Sequence, residues 1–219
     1  MPKPGRLIVF SAPSGAGKST LKDALMARFP SLRYSVSATT RKPRPGEIEG
    51  VHYFFKTQED FRALIDHQDL VEYMQVHGNY YGTPRSPIQK ALQEGHSVIL
   101  DLDVYGKVNF DKGYPNAVGI LIVPPSLEEL ERRLVGRKSD DMETIRIRLQ
   151  NASRELEFAT REGKYEYTIV NDNFHYALEE LTRVLERELG EQAQLRVQAL
   201  AGSSGPGSEP TRPSHPDPA

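Results

Sequence analysis

The sequence holds no cysteine and no tryptophan in 219 residues. Without cysteine, disulfides, thiolate metal sites and a cysteine nucleophile are excluded by inventory. Long hydrophobic runs are missing too. The longest apolar stretch, Val118 to Val123, falls far short of the about 20 residues a bilayer requires. Residues 1–20 lack an extended apolar region followed by a small-residue cleavage site. Neither membrane insertion nor secretion is expected, and the expected address is cytoplasmic. Net charge is also small, 28 Lys+Arg against 30 Asp+Glu, but it is unevenly placed. Residues 1–50 carry nine Lys/Arg and three acids, so this segment is +6 and the remainder −8. A basic segment of this kind suits nucleic acid, an anionic surface or a small polyanion.

What is present reads as one domain with an appendage. Leu7-Ile8-Val9-Phe10 is too short and too β-branched for a helix, and predicts a buried strand. Leu21, Ala24, Leu25 and Arg28 follow at helical spacing in a stretch from Thr20 to Phe29, closed by Pro30. Further buried strands are expected at Ser97 to Asp101, Gly119 to Val123 and Tyr167 to Val170. Helical stretches are expected after the capping box Ser126-Leu127-Glu128-Glu129, through Ile145, Leu149, Ala152 and Leu156, and from about Tyr176 to Leu189. This alternation predicts an α/β fold, a parallel sheet flanked by helices. Residues 34 to 95 break the pattern. Short strand-like pieces at Tyr34 to Thr40, Tyr53 to Phe55, Val71 to Val76 and Tyr80-Tyr81 predict a small, mostly β insertion, framed by helices from Thr57 and from Pro87 to Glu94. Twelve of the last nineteen residues are Gly, Ser or Pro, so 201–219 is expected to be a disordered tail.

Between the first strand and the first helix stands Ala12-Pro13-Ser14-Gly15-Ala16-Gly17-Lys18-Ser19-Thr20. This fits a phosphate loop, with Ala12 where the leading glycine is usual. Backbone N–H groups of such a loop turn onto a β-phosphate, Lys18 supplies a mobile cation, and Ser19 a hydroxyl for Mg2+. A glycine-rich connector is the bland alternative, but placement after a buried strand favours a nucleoside triphosphate site. In the insertion, Arg41 and Arg44 lie three apart in a proline-stiffened segment and suit a phosphate monoester; a solvated basic loop is the other reading. Asp101 and Asp103 end a strand where open α/β sheets bind ligands. Arg133 and Arg137, four apart on one helical face, and Arg148 on the next helix read by spacing as a solvated, arginine-rich helix pair.

Taken in order, the phosphate loop, Ser37-x-x-Thr40-Arg41-x-x-Arg44-x-Gly46-Glu47, Gly50-x-x-Tyr53, Gly78-Asn79-Tyr80-Tyr81-Gly82 and Asp101-x-Asp103 resemble the guanylate kinases. The resemblance implies ATP and GMP as substrates, with Mg2+, giving ADP and GDP in purine nucleotide metabolism. It implies a P-loop NTPase-like core of 1–36 and 91–200 with a helical lid at about 130–160, and a GMP-binding domain of 37–90. By resemblance Arg41, Arg44, Tyr53 and Tyr81 meet the GMP phosphate, and Ser37, Glu72, Thr83 and Asp101 the guanine. The lid arginines Arg133, Arg137 and Arg148 would serve transfer with Lys18 and Arg44, and Asn171 would lie with the ATP-binding residues. Two positions depart from the family pattern: Thr83 where serine is common, and Tyr105 where glutamine is usual. The alternatives are a non-catalytic scaffold of the same fold and a kinase for another phosphorylated acceptor. Retention of Lys18 and Ser19 opposes the first, and the guanine set opposes the second. The basic segment is thereby assigned to two nucleotides, and no nucleic acid polymer or membrane is expected as a partner.

Overall fold

The computed structural model describes residues 5–76, 78–136 and 141–190. Arg137 and the expected tail of 201–219 lie outside these described residues. In chain order the strands are β1 (Leu7–Ser11), β2 (Arg33–Tyr34), β3 (Ala38–Thr39), β4 (Phe54–Phe55), β5 (Leu70–Val76), β6 (Asn79–Pro84), β7 (Val98–Asp101), β8 (Val118–Val123) and β9 (Tyr167–Val170). The helices are α1 (Lys18–Arg28), α2 (Gln58–Asp66), α3 (Arg85–Gln93), α4 (Val104–Gly113), α5 (Leu127–Gly136), α6 (Met142–Glu162) and α7 (Phe174–Leu189).

Five strands form a parallel sheet in the order β2-β7-β1-β8-β9. Because strand side chains alternate between faces, β1 serves two cores at once. Ile8 and Phe10 pack with Leu21 and Leu25 of α1 and Leu178, Leu181 and Leu185 of α7. Leu7 and Val9 pack on the other face with Ile88 and Ala91 of α3 and Phe110 of α4. Each fully buried Leu, Ile or Phe contributes about 1.5–3 kcal/mol, so a continuous apolar strand suits a sheet covered on both faces. The predicted α/β architecture is therefore present.

The second sheet, in the order β4-β3-β6-β5, carries α2 on one face. Phe61 of α2 is buried beside Ala38 and Leu70, and its ring stacks on Tyr80 at 5.4 Å. Tyr34 to Thr40 reads in sequence as one strand but divides between the two sheets. Ser35 N–H still donates to Ile99 O of the large sheet (2.9 Å), whereas Ser37 O accepts from Phe54 N–H in the small one (2.8 Å). Ser35-Val36-Ser37 is the crossing point between the sheets.

Helix α4 has no counterpart in the sequence reading, and its composition explains why. It is capped by Asp103, whose carboxylate accepts from Gly106 N–H at 2.7 Å, and it buries Lys107 among its inward residues. A buried lysine hides the apolar stripe by which helices are recognised. Lys107 Nζ, 1% exposed, donates to Asp111 (2.5 Å) and to the Lys164 carbonyl (2.7 Å), which satisfies the charge. This arrangement leaves no room at Gly119 in β8, where an added Cβ would lie 2.7 Å from both Lys107 Cε and the Lys164 carbonyl oxygen. Gly119→Ala is expected to lower stability by about 1–3 kcal/mol through overpacking. Urea unfolding monitored by circular dichroism would reveal it, and an unchanged midpoint would contradict this packing.

Candidate active site

The turn from β1 into α1 is built around two glycines that adopt left-handed backbone angles, Gly15 (φ 96°) and Gly17 (φ 88°). Only glycine takes such angles without strain. Space is restricted as well: a Cβ on Gly15 would meet Leu130 Cδ1 of α5 at 2.9 Å, and one on Gly17 would meet Asn171 Nδ2 at 2.4 Å. Gly17 is the N-cap of α1 and offers no side-chain cap, whereas α2, α4, α6 and α7 are capped by Thr57, Asp103, Asp141 and Asn173. The first N–H groups of α1 and its positive dipole end thus face the loop Ala12–Ala16, with Lys18, Ser19 and Thr20 on the opening turn. This is a cradle for an anion.

Asn171 lies beneath that cradle. Its buried amide donates to Ala16 O at 2.8 Å, while its backbone N–H bonds Val123 O at 2.8 Å. The side chain therefore joins the end of β9 to the phosphate loop. The bond was not apparent from sequence because 155 residues separate the partners.

Across the edge of the large sheet, a cavity of about 250 Å3 is lined by Lys18, Ser37, Tyr53, Glu72, Tyr81 and Asp101, six of the residues selected from sequence. Met74, Val76, Gly82, Leu102, Asp103 and Gly106 complete its walls. The fold brings these residues together in three ways. Parallel pairing of Phe10 with Asp101 sets the end of β7 beside the phosphate loop, and Lys18 Nζ donates to Asp101 Oδ1. Antiparallel pairing of Glu72 with Thr83 places two side chains on one face of β5 and β6, and the Thr83 hydroxyl donates to Glu72 Oε1 at 2.6 Å. The crossing segment carries Ser37 between the sheets.

Electrostatics in this cavity follow from burial. Glu72 is pushed up to about 7, chiefly by desolvation and further by Asp103, against the Thr83 hydrogen bond. Desolvation also raises Asp103, with the Gly106 N–H opposing it. Glu155 of α6 is raised to about 7 by burial and by Asp103, opposed by Lys18. Burial and the nearby Asp101 raise the Tyr53 phenol, so it keeps its proton and remains a donor. Glu155 is an addition to the residues selected from sequence, whereas Asp103 was selected there beside Asp101 with no ligand assigned to it. Asp103 was visible in the Asp-x-Asp strand end; Glu155 follows Arg148 by seven residues, two helical turns on the same face of α6.

The arginines are arranged in a second cluster. Arg41 is gripped by Glu47 through two hydrogen bonds of 2.9 and 2.8 Å, and the same carboxylate accepts from Arg44 N–H at 2.7 Å. Arg41 in turn holds Glu47 down at about 2 and is itself raised by that partner. Its guanidinium lies 5.3 Å from the Tyr53 ring and within hydrogen-bonding reach of Tyr81. Glu47 thus orients the Arg41 guanidinium and pins the Arg44 backbone. Arg44 is exposed at the edge of this cluster. In α5, Arg133 Nε donates to Glu129 (2.8 Å) and a second nitrogen to Asp172 O (3.3 Å). Arg148 lies on α6, and neither it nor Arg133 lines the cavity.

Comparison with known proteins points the same way. The family model described as guanylate kinase matches residues 4–188. A guanylate kinase of Desulfitobacterium hafniense is 44% identical over 184 residues, covering 84% of this chain and 90% of its own. One of Trichodesmium erythraeum is 45% identical over 181 residues, covering 83% and 96% respectively. A crystal structure of guanylate kinase from Anaplasma phagocytophilum superposes with a TM-score of 0.68 at 30% identity, covering 92% of this chain and 95% of that one.

The position of Asn171 separates two roles. If it supports the loop, Asn171→Ala leaves the Ala16 carbonyl unpaired and weakens nucleotide binding about tenfold, the effect of about 1.4 kcal/mol. The loss is expected to be equal for ATP and GTP as phosphoryl donors. A loss confined to ATP, measured as kcat/KM with each donor, would mean that Asn171 reads the base.

Proposed function

The chain belongs to the guanylate kinase family, and we propose that it is a phosphotransferase that moves the γ-phosphoryl of ATP onto GMP, giving ADP and GDP. The observation that carries this reading is the cavity in which the phosphate-loop lysine meets Ser37, Tyr53, Glu72, Tyr81 and Asp101. Guanine presents N1–H and N2–H2 donors beside an O6 acceptor. Glu72 and Asp101 accept from the first two, and adenine would leave both carboxylates unpaired. Thr83 contributes through the carboxylate it orients, since its own proton is directed at Glu72. Ser37 offers a hydroxyl for O6.

Arg41, Arg44, Tyr53 and Tyr81 hold the GMP phosphate, with Glu47 fixing the plane of the Arg41 guanidinium. A phosphate monoester has a second pKa of about 6, so the attacking oxygen is already ionised at neutral pH. No general base is required. The backbone of Ala12–Thr20 and Lys18 bind the donor phosphates, and Asn171 keeps that loop in shape.

The Ser19 hydroxyl, on the first turn beside Lys18, would hold Mg2+. No group of three or more His, Asp or Glu suited to a metal occurs among the described residues. That donor set fits an ion bound through one hydroxyl, water and phosphate oxygens rather than a protein cage. When bound, Mg2+ neutralises charge on the β- and γ-phosphates. Arg133 and Arg148 approach the transferring group from the helical lid of about 130–160, and residues 37–90 act as the GMP-binding domain. Closure of these parts excludes water that would otherwise hydrolyse ATP. A cytoplasmic location, where both nucleotides are plentiful, fits this activity.

A coupled assay of ADP release across GMP, AMP, CMP and UMP is expected to show turnover with GMP and little with the other three. Lys18→Ala should abolish turnover while the circular dichroism spectrum is retained. Equal turnover with AMP would refute the acceptor assignment. The raised Glu72 also gives the reaction a pH signature. Because a protonated Glu72 would present a donor where guanine also donates, GMP affinity is expected to weaken as pH falls through about 7 and to level off above it. Glu72→Gln should remove that inflection and leave the one near pH 6 from the ligand's own phosphate. An unaltered profile in the variant would assign the inflection to another group.

A further inference from the structure

We propose that Asp101 is a counter-ion shared between the donor and acceptor sites, and that its transfer from Lys18 to guanine makes acceptor binding strengthen donor binding. This rests on the reading of the chain as a GMP phosphotransferase. Lys18 belongs to the phosphate loop, yet in the structure its ammonium donates to Asp101 and lines the acceptor cavity. Both side chains are largely withdrawn from water, at 19% and 22% exposure, so their attraction is only partly screened. The other carboxylates of the cavity are engaged differently. Glu72 accepts from the Thr83 hydroxyl and Asp103 from the Gly106 N–H. Asp101 is thus the carboxylate that the lysine hydrogen-bonds, while Asp103 and Glu155 feel its charge without that bond.

Two ligands compete for the two halves of this ion pair. Guanine offers N–H donors to Asp101, and a β-phosphate offers anionic oxygens to Lys18. When Asp101 accepts from guanine, its pull on the ammonium weakens and Lys18 turns to the donor's phosphates at lower cost. When phosphates draw Lys18 away, Asp101 lone pairs become available to guanine. The coupling is positive and, because binding free energies are linked, of equal size in both directions.

Isothermal titration of ADP in the presence of Mg2+, with and without saturating GMP, tests this. Neither ligand carries a transferable γ-phosphoryl, so no turnover intervenes. GMP is expected to tighten ADP binding of the unaltered protein about fivefold or more, and that of Asp101→Asn less than about twofold. Asp101→Asn should also bind ADP alone more tightly than the unaltered protein, because Lys18 is released. Glu72→Gln should weaken GMP binding but keep the tightening of ADP, which separates loss of a guanine contact from loss of the shared charge. Lys18→Met provides the mirror test: GMP alone should bind it more tightly. Full tightening retained in Asp101→Asn, or no tightening in the unaltered protein, overturns the shared counter-ion and leaves the activity intact. Failure of the unaltered protein to bind GMP overturns both.

Discussion

Lys18 and Asp101 meet across 83 residues of sequence because β1 and β7 run parallel, with Phe10 opposite Asp101. Nearly every functional feature depends on that pairing. It fixes the phosphate loop, which leaves β1, and the carboxylate, which ends β7, at the same edge of the large sheet. The pairing is in turn secured by the alternation of Leu7, Ile8, Val9 and Phe10 between two apolar cores. A shift of one residue in β1 would exchange the two faces and bury neither set correctly. The core therefore sets the distance between donor loop and acceptor carboxylate.

The second sheet meets a different physical demand, recognition of a polar base by desolvated charges. Glu72 and Thr83 are held opposite each other by strand register and are among the few buried polar side chains of the described residues. Burial makes the carboxylate costly to ionise and also strengthens its hydrogen bonds once ionised. The basic character of the first fifty residues is similarly divided. Lys18 faces Asp101, and Arg41 faces Glu47, so each cation is preset by an acid before a phosphate arrives.

Much of this was legible in the sequence because it is local. The phosphate loop follows from glycine conformations and helix-end chemistry within nine residues, and the buried strands from short apolar runs. Six cavity residues selected from motifs do converge. What escaped was non-local or masked by compensation. The Asn171 bond to Ala16 spans most of the chain. Helix α4 lacks an apolar stripe because Lys107 is buried with its own partners. The division of Tyr34 to Thr40 between two sheets depends on which carbonyl accepts from which strand, and composition does not encode that. Glu47 was visible in its motif, but its role follows from geometry alone.

Helix α6 is held at two separated places. Near its C-terminal end Ala159 and Phe158 pack with Val104 of α4 and Leu121 of the sheet, and near its start Ile145 packs with Leu130 and Leu134 of α5. At 1.5 Å per residue, the 14 steps from Ile145 to Ala159 make an arm of about 21 Å. A tilt of about 10° at the sheet end displaces the far end by about 4 Å, more than the length of a hydrogen bond. Arg148 sits towards that far end and Glu155 near the fulcrum. On such a tilt Arg148 would travel about 3 Å and Glu155 about 1 Å, so one rigid rotation would deliver the arginine's charge with little displacement of the glutamate near Lys18.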